Sequence, residues 1–231
     1  MTVLPMRKCA RSCGRRSRTI ERLSNAEEMK ELEICRHLDL AFEEFLQKIE
    51  CLELREALKE KAYFAGGCIY CLRNDKPVKD YDMFLKDDSL IEELEKLDIW
   101  SFASEYALTL GKFQVVIKYF GEPDHCVGEF DFKHNMHYYI PKTLKILCAY
   151  NEEFFDTEPD FDNFKYLQTS ELVFNEKRAR DIEGVLLRVE KFTSRGMTIS
   201  KETKKKIKQR TTKKAVKEYK KKRTGGRRSY Y

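Results

Sequence analysis

Asp80 and Asp82 are two carboxylates separated by a single residue, and this residue type and spacing can bind a metal ion. The surrounding run from Val78 to Leu85 predicts a β-strand, and a strand points alternate side chains to the same face. Neighbouring carboxylates repel each other unless a cation lies between them. The pair is therefore typical of a site for a magnesium ion that carries a nucleoside triphosphate.

A diglycine, Gly66-Gly67, precedes the carboxylate pair and is followed by a predicted short helix to Leu72 and an Asn-Asp-Lys-Pro turn. Glycine has no Cβ, so a phosphate can approach its backbone closely, and the first N–H groups of a helix can bind an anion. The diglycine, helix and strand with two aspartates together predict a phosphoryl-transfer site.

The stretch from Phe64 to Phe84 resembles the nucleotidyltransferase signature of the DNA polymerase beta superfamily. It is similar to the heads of class II tRNA nucleotidyltransferases and bacterial poly(A) polymerases, and to small virus-encoded nucleotidyltransferases. The residues that match are Gly66, Gly67, Lys79, Asp80 and Asp82. The Arg-Asp pair of those families is replaced here by Tyr70-Cys71, and Arg73 lies nearby.

The resemblance implies an α+β fold, with a small mixed sheet and flanking helices. It also implies that a nucleoside monophosphate is transferred from a triphosphate to a hydroxyl acceptor with the help of Mg²⁺ or Mn²⁺. By the resemblance, Asp80 and Asp82 are catalytic and bind the metal, whereas Gly66, Gly67 and Arg73 bind the nucleotide. Lys79 is expected to be a solvated lysine outside the site.

Two later segments extend the resemblance. Phe130-Asp-Phe-Lys-His-Asn135 is similar to a strand of the tRNA nucleotidyltransferases and is expected to lie beside the strand with the two aspartates. The resemblance makes Asp131 the candidate third catalytic carboxylate, as a metal ligand and general base. The segment 181–200 resembles the helix that follows the head in that family, and its Arg188 and Arg195 are candidates for binding nucleic acid.

The charge distribution along the chain is uneven. The first 25 residues carry a net charge of +6 and residues 201–231 carry +13, so the residues between them carry −13. Basic segments favour polyanionic partners, and Lys204, Lys205 and Lys206 are candidate contacts to a nucleic-acid acceptor. The alternative is a non-catalytic nucleic-acid-binding protein that combines these basic arms with a nucleotidyltransferase-like fold.

Four segments are expected along the chain: a basic N-terminal arm (1–25), a helix with the catalytic head (26–150), an acidic loop with a neck-like helix (151–200) and a basic, disordered tail (201–231). Hydrophobic periodicity predicts one helix from Ala26 to about Lys61, with Asn25 as N-cap, and further helices at 88–97, 141–150 and 179–196. Strands are predicted at 113–120 and 128–132.

Composition excludes several classes of protein. Apolar residues make up 42% and aromatic residues 12%, so the chain is not wholly disordered. No apolar run approaches the roughly 20 residues of a membrane span, and the N-terminus has no signal-peptide core. We therefore expect an intracellular protein without a membrane partner, cytoplasmic or, in a eukaryotic host, nuclear. The cysteines are expected to be reduced thiols, and neither Cys9–Cys13 nor Cys68–Cys71 is expected to bind zinc.

Overall fold

A computed structural model describes residues 13–149, 165–176 and 183–209 of the chain. The predicted acidic loop at 151–162, the start of the predicted helix at 179–196 and the tail beyond residue 209 lie outside these ranges. The helices are α1 (Cys13–Leu46), α2 (Leu52–Lys61), α3 (Gly67–Arg73), α4 (Ile91–Glu95), α5 (Pro123–Gly128), α6 (Lys165–Gln168), α7 (Glu183–Thr193) and α8 (201–209).

The strands of the described residues form one mixed sheet in the order β3-β4-β5-β2-β1-β6-β7. They are β1 (Ala62–Ala65), β2 (Tyr81–Leu85), β3 (Phe102–Ala103), β4 (Ala107–Leu110), β5 (Phe113–Val116), β6 (His137–Tyr139) and β7 (Ile146–Cys148). β2 pairs with β5 in parallel, and the other pairings are antiparallel. The predicted α+β class with a small mixed sheet is confirmed.

Helices α1 and α2 cover one face of the sheet. Phe42 of α1 meets Phe64 of β1, and Phe45 meets Phe113 of β5, with ring centroids 6.0 and 5.6 Å apart. Alternate residues of β1 and β2 point to the other face, where Tyr63 and Phe84 belong to a second apolar cluster. Asp82 alternates with the residues that face α1, so its side chain lies on the face opposite that helix.

The predicted single helix from Ala26 to Lys61 is instead two helices, and α1 begins well before Asn25. The chain turns between them because Lys48 and Ile49 donate to the carbonyls three residues earlier, which tightens and ends α1. Ile49 is fully buried, and its carbonyl accepts a hydrogen bond from the Arg55 side chain. Part of the predicted N-terminal arm is therefore helical.

Two other predicted elements are wrong. The segment 128–132 is not a strand, since α5 ends at Gly128 and Phe132 makes only an isolated bridge to Phe174. The predicted helix at 141–150 is also wrong, because the described residues 141–149 are not helical. The carboxylate of Asp39 accepts a hydrogen bond from the Lys142 N–H in a tight turn, and the chain then enters β7.

The start of the predicted basic tail is packed rather than disordered. Residues 201–209 form α8, and Ile207 is only 1% exposed within the main hydrophobic core. Within the described ranges, no helix is both long and apolar enough to cross a membrane.

Candidate nucleotide-binding site

The diglycine joins β1 to α3 and gives its two glycines different roles. Gly66 has φ +82° and ψ −136°, a conformation that side chains rarely tolerate, and its N–H donates to the carbonyl of His137. A Cβ on Gly66 would lie 3.6 Å from the Phe130 ring and 4.0 Å from the Asp82 carboxylate. Gly67 starts α3, and a Cβ there would meet nothing within 4 Å. Gly66 therefore shapes the turn, and Gly67 borders open space.

Asp80 and Asp82 flank the first residue of β2. Asp82 lies in the strand opposite Gln114 of β5, and Asp80 directly precedes the strand in an extended, exposed segment. Tyr81 between them points to the other face, where its hydroxyl lies 2.6 Å from Nε2 of His37. The structure therefore places both carboxylates on the same side of the sheet.

Burial and the nearby Asp80 carboxylate raise the pKa of Asp82 to about 6, while Lys191 acts in the opposite direction. The raised pKa means that the charged form of Asp82 lowers the stability of the folded protein. A cation between the two carboxylates would remove that cost.

The two carboxylates line a cleft of about 300 Å³ between α3, the start of β2 and the end of α7. Gly67, Cys68 and Phe192 contribute to its walls. Four cationic residues also line it, and they come from two separate parts of the chain: Lys76, Lys79, Lys191 and Arg195. Four cations against two carboxylates suit a polyanionic ligand that arrives with a divalent cation.

The residues present fit such a cation. Magnesium prefers carboxylate and carbonyl oxygens, and Asp80 and Asp82 supply carboxylates at the cleft. Asn135 lines the same cleft, and its buried Oδ1 has no hydrogen-bond partner among the described residues. The described ranges contain no group of three or more His, Cys, Asp or Glu side chains that could hold a metal ion. Asp80 and Asp82 are the carboxylates at the cleft that would hold the cation.

The third predicted carboxylate, Asp131, does not lie on a strand beside β2, because the sheet neighbours of β2 are β1 and β5. Its side chain is 3% exposed and forms an ion pair with Nε of Arg188 on α7. The structure does not bring Asp131 into the lining of the cleft. A general-base role for Asp131 stays a prediction.

The basic residues that were predicted to bind nucleotide or nucleic acid do not all lie at the cleft. Arg73 does not line the cleft and pairs with Glu27 of α1 at 3.3 Å. Arg195 lies in the cleft. On α8, Lys204 and Lys205 are exposed, whereas Lys206 pairs with Glu176 and Glu202 at 2.6 and 3.3 Å. Lys79, which we expected outside the site, lines it.

The cysteine and histidine residues near the cleft are packing residues. The Cys68 thiol is buried and lies 3.6 Å from the Ala65 carbonyl, and burial raises its pKa. His134 packs between Tyr70 and Phe192, with ring centroids 5.0 and 4.9 Å away, and burial lowers its pKa to about 3. Cys9 lies outside the described residues.

Comparison with solved structures finds enzymes that act on tRNA. The chain is similar to a tRNA-processing enzyme in an apo form, at 20% identity and a TM-score of 0.48, over 74% of this chain and 47% of that one. It is also similar to the Thermotoga maritima CCA-adding enzyme complexed with tRNA, at 13% identity and a TM-score of 0.46, over 73% and 44%. The chain covers less than half of the length of either structure.

The chain belongs to the Gabija anti-defense 2 family, whose sequence model matches residues 37–159. A relative named Gabija anti-defense 2, from Bacillus phage SPbetaL7, is 32% identical over 160 residues. That alignment covers 64% of this chain and 37% of the relative, so the chain spans well under half of the length of that protein. The matched family region contains the diglycine, both carboxylates and Asn135.

Proposed function

We propose that the cleft is the active site of a metal-dependent nucleotidyltransferase, which moves a nucleoside monophosphate from a triphosphate to a hydroxyl. The observation that carries the proposal is the placement of Asp80 and Asp82 on one side of the sheet, beside Gly67 and four cationic side chains. Phosphoryl transfer needs positioning and charge neutralisation more than covalent chemistry, and these residues supply both.

Asp80 and Asp82 would hold Mg²⁺ or Mn²⁺, which when bound lowers the pKa of the attacking hydroxyl and neutralises charge on the triphosphate. Gly67 leaves room for a phosphate beside the start of α3, because no side chain occupies the space. Asn135 offers an acceptor oxygen at the same cleft. Gly66 holds the turn that brings Gly67 and Asp82 to the same cleft.

Membership of an anti-defense family supports a role for this chemistry against a defense system. We propose that this chain, like the phage relative by its name, counteracts the Gabija defense, and that transfer at the cleft is the means. The acceptor is proposed to be nucleic acid because the tail beyond residue 209 is strongly basic. A non-catalytic nucleic-acid-binding role is the second candidate, and the same tail favours it.

The test uses the four ribonucleoside triphosphates, each labelled in turn on the α or the γ phosphorus, with Mg²⁺ or Mn²⁺ and with RNA, DNA and protein acceptors. Nucleotidyl transfer puts the α label on the acceptor and releases the γ label as pyrophosphate. Labelling of an acceptor by the γ phosphorus would instead show a kinase. Binding of nucleic acid without any labelled product would favour the non-catalytic candidate.

A further inference from the structure

One face of helix α1 is exposed although it carries two large apolar side chains. Met29 and Leu40 on this face are 63% and 71% exposed. A groove of about 660 Å³ runs along the same face, and the described residues that line it all belong to α1. Large apolar side chains on an exposed helix face beside a groove are typical of a surface that packs against another helix.

The other sides of α1 are attached to the fold. Leu38 is fully buried in the main hydrophobic core. Glu27 pairs with Arg73 of α3 at 3.3 Å, and the Glu31 carboxylate accepts a hydrogen bond from the Ile146 N–H of β7 at 2.7 Å. These contacts hold the exposed face in a defined position before any partner arrives, which lowers the cost of ordering it on binding.

The residues of the exposed face repeat at the spacing of a two-stranded coiled coil. They follow one another at alternate intervals of three and four, and we call them the α1 seam: Ala26, Met29, Glu33, Arg36 and Leu40. This is the spacing of the a and d positions, at which two helices interlock. With a rise of about 1.5 Å per residue, the α1 seam spans about 21 Å.

The order of residues in the α1 seam is complementary to itself in one antiparallel register. In an antiparallel pair of helices, each a position meets a d position of the other helix. A two-fold axis midway between positions 33 and 36 places Met29 against the partner's Leu40, and Glu33 against the partner's Arg36. Two apolar contacts then flank two ion pairs. A parallel pair would instead place like charges together, so the charged residues select the antiparallel register.

The charges at the centre of the α1 seam are available for these ion pairs. Glu33 and Arg36 are both exposed, and neither forms an ion pair within the part of the chain that the structure describes. By contrast, Lys30 beside the seam is occupied, since it pairs with Asp75. A partner that brings the opposite charge to each of the two positions therefore competes with no contact among the described residues.

We propose that the α1 seam is the interface of a homodimer, in which a second copy of this chain packs its own seam antiparallel to the first. A two-fold dimer uses the same patch twice, which requires the self-complementarity described above. A single helix pair of this length buries less than the roughly 1,200 Å² of a standard interface, so the dissociation constant should be about 10–100 µM. No seam residue lines the cleft, so the proposal is independent of the proposed function.

Sedimentation equilibrium of the full chain tests the dimer and should show a reversible monomer–dimer equilibrium. Each seam substitution acts twice in a two-fold dimer, so Met29→Gln and Leu40→Gln should each raise the dissociation constant roughly tenfold. Leu52→Gln removes a leucine that is 64% exposed outside the seam, and it should change the constant by less than about twofold. A wild type that is monomeric at about 500 µM would overturn the proposal.

Charge reversal tests the antiparallel register. Glu33→Arg puts two cations, and Arg36→Glu two anions, at each central contact, so each single variant should raise the dissociation constant at least about tenfold. An equimolar mixture of the two variants restores both ion pairs and should dimerise as the wild type does. The Glu33→Arg/Arg36→Glu double variant restores the same pairs within its own homodimer. A dimer that both single reversals leave intact would overturn the α1 seam as its interface.

Thermal midpoints of dilute, monomeric protein distinguish a second copy from another segment of the same chain. Met29 and Leu40 are exposed in the monomer, so Met29→Gln and Leu40→Gln should leave these midpoints unchanged. Midpoints that fall in the dilute variants would show that the α1 seam is covered within one chain, and would overturn the homodimer.

Discussion

Replacing Asp82 with Asn should make the metal-free protein more stable at neutral pH. An aspartate whose pKa is raised from 3.8 to about 6 binds more protons in the folded state than in the unfolded state at intermediate pH. The charged side chain therefore costs stability above pH 6, and the cost vanishes below about pH 4. A shift of about two units corresponds to roughly 3 kcal/mol, and partial exposure of Asp82 reduces the expected gain to about 1–3 kcal/mol.

Urea denaturation in the presence of a chelator, at about pH 7.5 and about pH 4, measures this gain. The stability of Asp82→Asn should exceed that of the wild type only at the higher pH. Asp98→Asn, which removes an exposed carboxylate that does not line the cleft, should differ little from the wild type at either pH. Saturating Mg²⁺ should stabilise the wild type but not Asp82→Asn, because ligand binding to the native state adds stability. A destabilised Asp82→Asn at pH 7.5 would refute the argument that Asp80 and burial penalise the charge.

Three further outcomes follow from the structure. Gly66→Ala should lower the free energy of unfolding by about 1–3 kcal/mol, because Gly66 has a positive φ. Gly67→Ala should leave the free energy of unfolding unchanged but weaken nucleotide binding. A denaturation series and a nucleotide titration of each variant test both results. Truncation after residue 209 should preserve the thermal midpoint and flatten the salt dependence of polyanion binding. Truncation before residue 201 should lower the thermal midpoint, because it removes the buried Ile207. Equal midpoints for the two truncated proteins would contradict the packing of α8. Because the pKa of His134 is lowered to about 3, its contribution to stability is complete above about pH 6.5 and declines as the pH falls towards 3. Urea denaturation at several pH values should therefore show a shallower loss of stability for His134→Phe than for the wild type over that range. Identical pH profiles would contradict a neutral, buried His134.

Short-range patterns in the sequence predicted the turn at the diglycine, the short helix after it and the shared side of the two carboxylates. These features depend on strand alternation and turn chemistry, which act over a few residues. The same reasoning failed for the strand at 128–132, since its alternating Phe130 and Phe132 look like a strand, but Phe130 packs on Phe84 and Phe132 on Phe192 of α7, and the segment does not enter the sheet. It also missed Lys191 and Asn135, which reach the cleft only through the tertiary fold. No periodicity marks a residue brought to a site by long-range packing.

The break between α1 and α2 shows the same limit. The spacing of apolar residues near a period of 3.6 continues through Ile49, so periodicity alone predicts an unbroken helix. The helix ends where Lys48 and Ile49 donate to the carbonyls three residues earlier. Ile49 is buried, and its carbonyl accepts a hydrogen bond from the Arg55 side chain. The burial of Ile49 and its contact with Arg55 depend on packing between elements.

The most direct test of the transferase is the rate of α-label incorporation by Asp82→Asn, measured with the triphosphate, metal and acceptor that give the highest wild-type rate. A lost metal ligand removes several kcal/mol of transition-state stabilisation, so the rate should fall at least about 10³-fold while Asp98→Asn keeps the wild-type rate. Turnover by Asp82→Asn equal to that of the wild type, at saturating metal, would contradict the central claim that this carboxylate pair is the catalytic site.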